Sequence, residues 1–103
     1  MDIRVGSPHF GKWTSVMLSA SKHNQIYVPA GFAHGFLALT ETVQFLYKCS
    51  DYYASTDEYG ILWCDPEVAI SWGTINPILS KKDANNPKLR DVPADLLPRC
   101  LLR

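Results

Sequence analysis

Long apolar runs are missing from this sequence: no window approaches the roughly 18 consecutive apolar residues that a membrane-spanning helix requires. Nor is Met1-Asp2-Ile3-Arg4 a charged stretch leading into an apolar one, so the reading is of a soluble, unexported, cytoplasmic chain. Charge of one sign is missing too. The 10 basic and 10 acidic residues cancel, and Lys81, Lys82 and Arg99 do not make a patch, which argues against nucleic acid or a membrane surface as partner. Cysteine is scarce and odd in number. Cys49, Cys64 and Cys100 share no Cys-x-x-Cys spacing, which disfavours a disulfide scaffold and a zinc ribbon and leaves reduced thiols as the expected state. There is no Gly-x-Ser-x-Gly elbow for a serine hydrolase, no internal repeat and no low-complexity tract.

What is present is alternation. With 103 residues the chain supports one domain with a modest core, burying roughly 60 to 65% of its unfolded surface. Apolar residues recur with period two through most of the first 72 positions, punctuated by turn formers, the pattern of antiparallel β-structure. Strands are expected at 13–19, 25–28, 35–40, 43–49, 59–63 and 68–72. Ser21 to Asn24 closes the first hairpin, and Cys64-Asp65-Pro66-Glu67 separates the last pair. On the fourth strand Val43, Phe45, Tyr47 and Cys49 share one face, with Gln44, Leu46 and Lys48 on the other. The tail changes character: Ser80 precedes one helical turn, and Pro93 starts a second.

The stretch Tyr27-Val28-Pro29-Ala30-Gly31-Phe32-Ala33-His34-Gly35-Phe36 carries a Pro-x-Gly-x-x-His spacing. Pro29 ends a strand because its missing N–H cannot continue a ladder, and Gly31 is free to take a positive φ. His34 then stands at the start of the next strand. Together with Val43 to Cys49 and Asp51-Tyr52-Tyr53, this stretch resembles the dTDP-4-dehydrorhamnose 3,5-epimerases, a cupin-type family. The resemblance runs from Asp2-Ile3-Arg4 through Ser80-Lys81-Lys82-Asp83-Ala84 to about Leu89. It implies an all-β, cupin-type double-stranded β-helix (jelly roll), incomplete here, in one domain of residues 1–103. Barrel strands would occupy 1–79 and a tail with short helical turns 80–103.

For the site, the resemblance implies two catalytic residues. Tyr47 matches the family's proton donor: a phenol with an ordinary pKa of about 10 stays protonated at neutral pH and can reprotonate an enolate. Asp83 matches the carboxylate that orients the base histidine. His34, Tyr53, Glu58 and Lys82 match residues that hold the nucleotide sugar, with Tyr53 stacking on the base, a contact worth on the order of 1 to 3 kcal/mol elsewhere. The implied ligand is a dTDP-4-dehydro-6-deoxy sugar, with no metal or organic cofactor and a homodimer or larger assembly. Each position also has a structural reading: a backbone-bonded histidine, an ordinary strand tyrosine, loop polar residues, a helix-turn aspartate.

The resemblance also points to what this sequence does not contain. Family members carry an Arg-Gly-Leu-His segment upstream, whose histidine is the base, and no such segment occurs between Met1 and Arg103. His9 and His23 fall in turn-like sequence. A fragment or a shortened relative is therefore expected. The rival readings are a non-catalytic sugar-nucleotide-binding module, a single-site epimerase or ketoisomerase, and, last, a metal-dependent cupin using His34. That last reading lacks the His-x-His and Glu donors it needs.

Overall fold

The computed structural model describes residues 1–48 and 59–100, and its first five residues tie together three distant stretches of chain. Asp2 gives its N–H to the Lys12 carbonyl at 2.9 Å and accepts at its own carbonyl from Gly11 at 2.8 Å. It also forms an antiparallel bridge with Phe32, beside which Ala33 donates to the Met1 carbonyl at 2.9 Å. Val5 bridges Arg99 in parallel, donating to the Pro98 carbonyl at 2.7 Å and accepting from Cys100 at 2.9 Å.

Gly31 meets the requirement read from its motif. Its φ of +90° lies where side chains are strained, and a Cβ built there would stand 2.7 Å from Cγ of Arg4. Glycine is needed here for conformation and for space. The turn at 21–23 is clamped by one side chain: Asn24 Oδ1 accepts from the Ser19 N–H at 3.0 Å, and its Nδ2 donates to the Met17 carbonyl at 2.8 Å. His23 supplies the left-handed step of that turn, at φ 51°.

A second tie organises the C-terminal part. Asp65, buried, accepts the Glu67 N–H at 3.0 Å on Oδ1 and the Leu89 N–H at 2.8 Å on Oδ2. The turn expected around Asp65-Pro66-Glu67 thus forms, and its carboxylate reaches across to a distant segment. Leu62 donates to the Pro87 carbonyl at 2.8 Å, and Trp72 Nε1 donates to the Trp63 carbonyl at 2.8 Å. Helix α1, Lys81–Ala84, begins at Ser80, whose hydroxyl accepts from the Asp83 N–H at 3.1 Å as an N-cap does. Two 3-10 turns follow, Leu89–Asp91 and Ala94–Leu96, the second starting from Pro93 as its sequence predicts.

The six expected strands differ from what is observed. Among the described residues no ladder forms, only the two isolated bridges, and Cys49 lies outside them. A strand is defined by hydrogen bonds to a neighbour, whereas alternation records only which side chains share a face. That facing does hold: the Phe45 and Tyr47 rings, two residues apart, lie 5.7 Å centroid to centroid. Phe36 stacks on Phe45 at 4.2 Å and 14°, so a ring of the 35–40 segment meets one of the 43–48 segment.

The core is correspondingly small. Among the described residues only Val68 and Leu89 are buried apolar side chains, while Val16, Met17, Tyr27, Leu39 and Leu46 lie exposed, the last at 94%. The radius of gyration, 14.6 Å, exceeds the roughly 13 Å of a compact domain of this length.

Candidate functional site

His34 follows the Gly31 turn by three residues, placed by the backbone tie between Met1 and Ala33, and its side chain is exposed. Tyr47 stands 74% exposed at the end of an aromatic ladder in which Phe36 stacks on Phe45 and the tyrosine ring tilts 40° against Phe45. Phe45 is thus the aromatic neighbour of a phenol that is otherwise largely exposed.

Lys82 and Asp83 sit side by side on α1. Lys82 lines an open cavity of about 230 Å³ together with Tyr59, Gly60, Asn86, Asp91 and Leu96. A Cβ at Gly60 would meet the side-chain amide of Asn86, which would have to move aside. Asp83 serves the helix through its N–H, while its carboxylate is exposed and makes no hydrogen bond or ion pair with His9, His23 or His34. Tyr53 and Glu58 lie outside the described residues. Among the described residues, no bond joins His34, Tyr47 and Asp83 to one another, and no three His, Cys, Asp or Glu side chains converge as metal donors.

The strongest electrostatics lie elsewhere. The Arg4 guanidinium grips the Asp2 carboxylate with Nε to Oδ1 at 3.1 Å and Nη2 to Oδ2 at 2.9 Å, and the Arg4 N–H adds a third bond at 2.9 Å. Ser7 donates its hydroxyl to Oδ2 at 2.5 Å. Arg4 therefore holds the Asp2 carboxyl well below the usual carboxylate range against the opposing effect of burial, with Ser7 helping. In return Asp2 raises Arg4, whose cation lies 4.8 Å over the Phe32 ring. Burial pushes Asp65 up, yet the N–H groups of Leu89, Glu67 and Val68 and the charge of Lys88 outweigh it and leave the carboxyl lowered.

Sequence patterning passed over both carboxylates as structural centres. The Asp2-x-Arg4 spacing is common, and the Asp65 to Leu89 contact joins positions 24 apart. The Phe36–Phe45–Tyr47 ladder was half visible, since period two puts Phe45 and Tyr47 on one face while the third ring needs the fold.

Comparison with known proteins agrees across most of the chain. The family model described as dTDP-4-dehydrorhamnose 3,5-epimerase matches residues 1–91. The dTDP-4-dehydrorhamnose 3,5-epimerase of Shigella flexneri is 47% identical over 91 residues, covering 88% of this chain and 50% of the relative. That of Pseudomonas aeruginosa is 46% identical over 99 residues, covering 95% of this chain and 54% of its own. Among solved structures, dTDP-6-deoxy-D-glucose-3,5-epimerase from Legionella pneumophila Philadelphia 1, in complex with dTDP-4-keto-L-rhamnose, superposes with a TM-score of 0.89 at 42% identity. That superposition covers 98% of this chain and 54% of the other. The chain thus spans about half the length of the relatives it matches, and its backbone follows that of a cupin-type epimerase.

Proposed function

Because the chain belongs to the dTDP-4-dehydrorhamnose 3,5-epimerase family, we propose that it forms the donor side of an epimerase acting on dTDP-4-dehydro-6-deoxy-D-glucose, to give dTDP-4-dehydro-L-rhamnose. The observation that carries the reading is the superposition of nearly the whole chain on a solved epimerase holding the dTDP-linked keto sugar. In this reading residues 1–79 contribute part of a jelly-roll barrel and 80–103 a tail, the whole working as a homo-oligomer in the cytoplasm.

The chemistry assigns work to each residue. The C4 ketone acidifies the hydrogens on C3 and C5; a base takes one, and the C–H electron pair moves into an enolate. Tyr47 then gives its phenolic proton to the same carbon from the opposite face, the enolate returns to the ketone, and solvent reprotonates the phenolate. An exposed phenol flanked on one side by Phe45 suits such one-sided delivery. Asp83 orients the base, and His34, Glu58 and Lys82 bind the sugar nucleotide while Tyr53 stacks on its base.

The test separates binding from turnover. Polypeptide 1–103 should bind a dTDP-sugar weakly yet not exchange the C3 or C5 hydrogen with deuterated water above the uncatalysed rate. Supplying the Arg-Gly-Leu-His segment of a full-length relative should restore exchange and inversion, and Tyr47→Phe in that protein should abolish inversion while leaving binding nearly intact. Rapid exchange by 1–103 alone would assign the base to another residue, His34 first among them.

A further inference from the structure

Among the described residues the Tyr47 ring is met by Phe45, and Phe45 in turn by Phe36. Phe36 lies parallel to Phe45 at 4.2 Å, and Phe45 meets the Tyr47 ring at 5.7 Å and 40°. Phe36 and Phe45 come from neighbouring segments joined through Thr40 to Thr42, where the Thr40 hydroxyl donates to the Thr42 carbonyl at 2.8 Å. Both rings are well exposed, at 59% and 48%, so the ladder is held by ring against ring and by the short connection rather than by deep packing.

A tyrosine ring turns about two torsions, and its Oη sweeps an arc of several ångströms unless something bears on the ring. Among the described residues Phe45 is the ring that meets Tyr47, and Phe36 stacks on Phe45 in turn. We infer that Phe36 and Phe45 are positioning residues for the Tyr47 phenol, fixing the face from which the enolate is reprotonated. The inference rests on Tyr47 as donor and adds to it a reason why the donor delivers to one face.

The consequence is a partition. An enolate that does not receive its proton from Tyr47 in time takes one back from the conjugate acid of the base, on the original face. In deuterated water, where the conjugate acid exchanges its proton with solvent before giving one back, that return leaves substrate of unchanged configuration carrying deuterium, whereas delivery by Tyr47 gives inverted product. Loosening the phenol should therefore raise the ratio of deuterated, uninverted substrate to inverted product without changing proton abstraction.

The experiment measures that ratio by NMR in residues 1–103 supplied with the upstream segment of a full-length relative, comparing Phe45→Leu, Phe45→Trp, Phe36→Leu and Tyr47→Phe. The ratio should rise about three- to tenfold in Phe45→Leu, the factor to which an aromatic contact of this kind corresponds. It should rise less in Phe36→Leu and stay near the parent in Phe45→Trp, which keeps a ring. A fall in abstraction and inversion by one common factor would overturn the inference and leave the phenylalanines merely structural. If Tyr47→Phe leaves the ratio unchanged, the donor assignment itself fails; if only Tyr47→Phe moves it, the donor stands and the positioning role falls. On 1–103 alone, the Tyr47 ring protons should carry an upfield ring-current shift that Phe45→Leu removes and Phe45→Trp keeps. Its absence would overturn the inference on geometry, independently of turnover.

Discussion

Leu89 donates its N–H to Oδ2 of Asp65 at 2.8 Å, and the two residues, both buried, join the 62–68 turn to the C-terminal segment. Replacing Asp65 with alanine strands the buried N–H of Leu89, while that of the exposed Glu67 turns to water. Asp65→Ala should lose about 1 to 3 kcal/mol, the cost of one buried unsatisfied donor, in urea unfolding followed by fluorescence of Trp63 and Trp72. Asp65→Asn, which keeps one acceptor but turns an amide N–H toward a donor, should fall between. An alanine variant as stable as the parent would mean that water satisfies these groups.

Gly31→Ala meets two obstacles at once. A left-handed φ costs a residue with a Cβ about 1 to 2 kcal/mol, and the new methyl would lie within 2.8 Å of the Arg4 side chain that holds Asp2. The variant should lose more than the φ penalty alone. A matched Gly73→Ala, at φ +80° with nothing within 4 Å, isolates that penalty, and the difference between the two melting curves reads the displacement of Arg4.

Both lowered carboxyls have the same linkage sign. Each has a folded pKa below its unfolded value near 4, so the stability it contributes is fully present above about pH 5 and is lost as pH falls toward the folded value. The urea midpoint should drop below pH 4. Asp2→Asn should start lower and descend less steeply through that acid range; a parallel slope would show that Asp2 is not what titrates.

Self-association is the fourth expectation. Phe36, Leu39, Leu46 and Ile75 are exposed apolar groups on segments whose backbone forms no ladder among the described residues, and such surface favours a second chain. Sedimentation of polypeptide 1–103 at micromolar concentration should give a dimer or larger. A clean monomer would contradict it.

Local signals were legible wherever one residue type answers one local demand. Gly31 supplies a positive φ, Ser80 caps α1, Pro93 opens a 3-10 turn, and period two brings Phe45 beside Tyr47. Strand pairing was not legible in the same way, because alternation names the face a side chain takes and not the neighbour that accepts the hydrogen bond. The two buried carboxylates escaped for a related reason. An aspartate looks alike in sequence whether it meets water or a ring of donors, and the donors of Asp65 are supplied from as far away as Leu89. The roles proposed for Tyr47 and Asp83 rest on family resemblance, which no local pattern of a tyrosine or a helical aspartate could replace.

The bridge between Val5 and Arg99 also bears on the order in which the molecule assembles. Bringing residues 5 and 99 together closes nearly the full length of the chain, an entropic cost of about 4 kcal/mol, against two hydrogen bonds worth about 1 kcal/mol each. The Asn24 clamp and the Ser80 cap close in a few residues and belong to the first microseconds. With two hydrogen bonds against that closure cost, the Val5 to Arg99 clasp is expected to depend on the rest of the fold and to open more readily than the Asp65 to Leu89 tie. In native-state hydrogen exchange, the amides of Val5 and Cys100 should open well before that of Leu89.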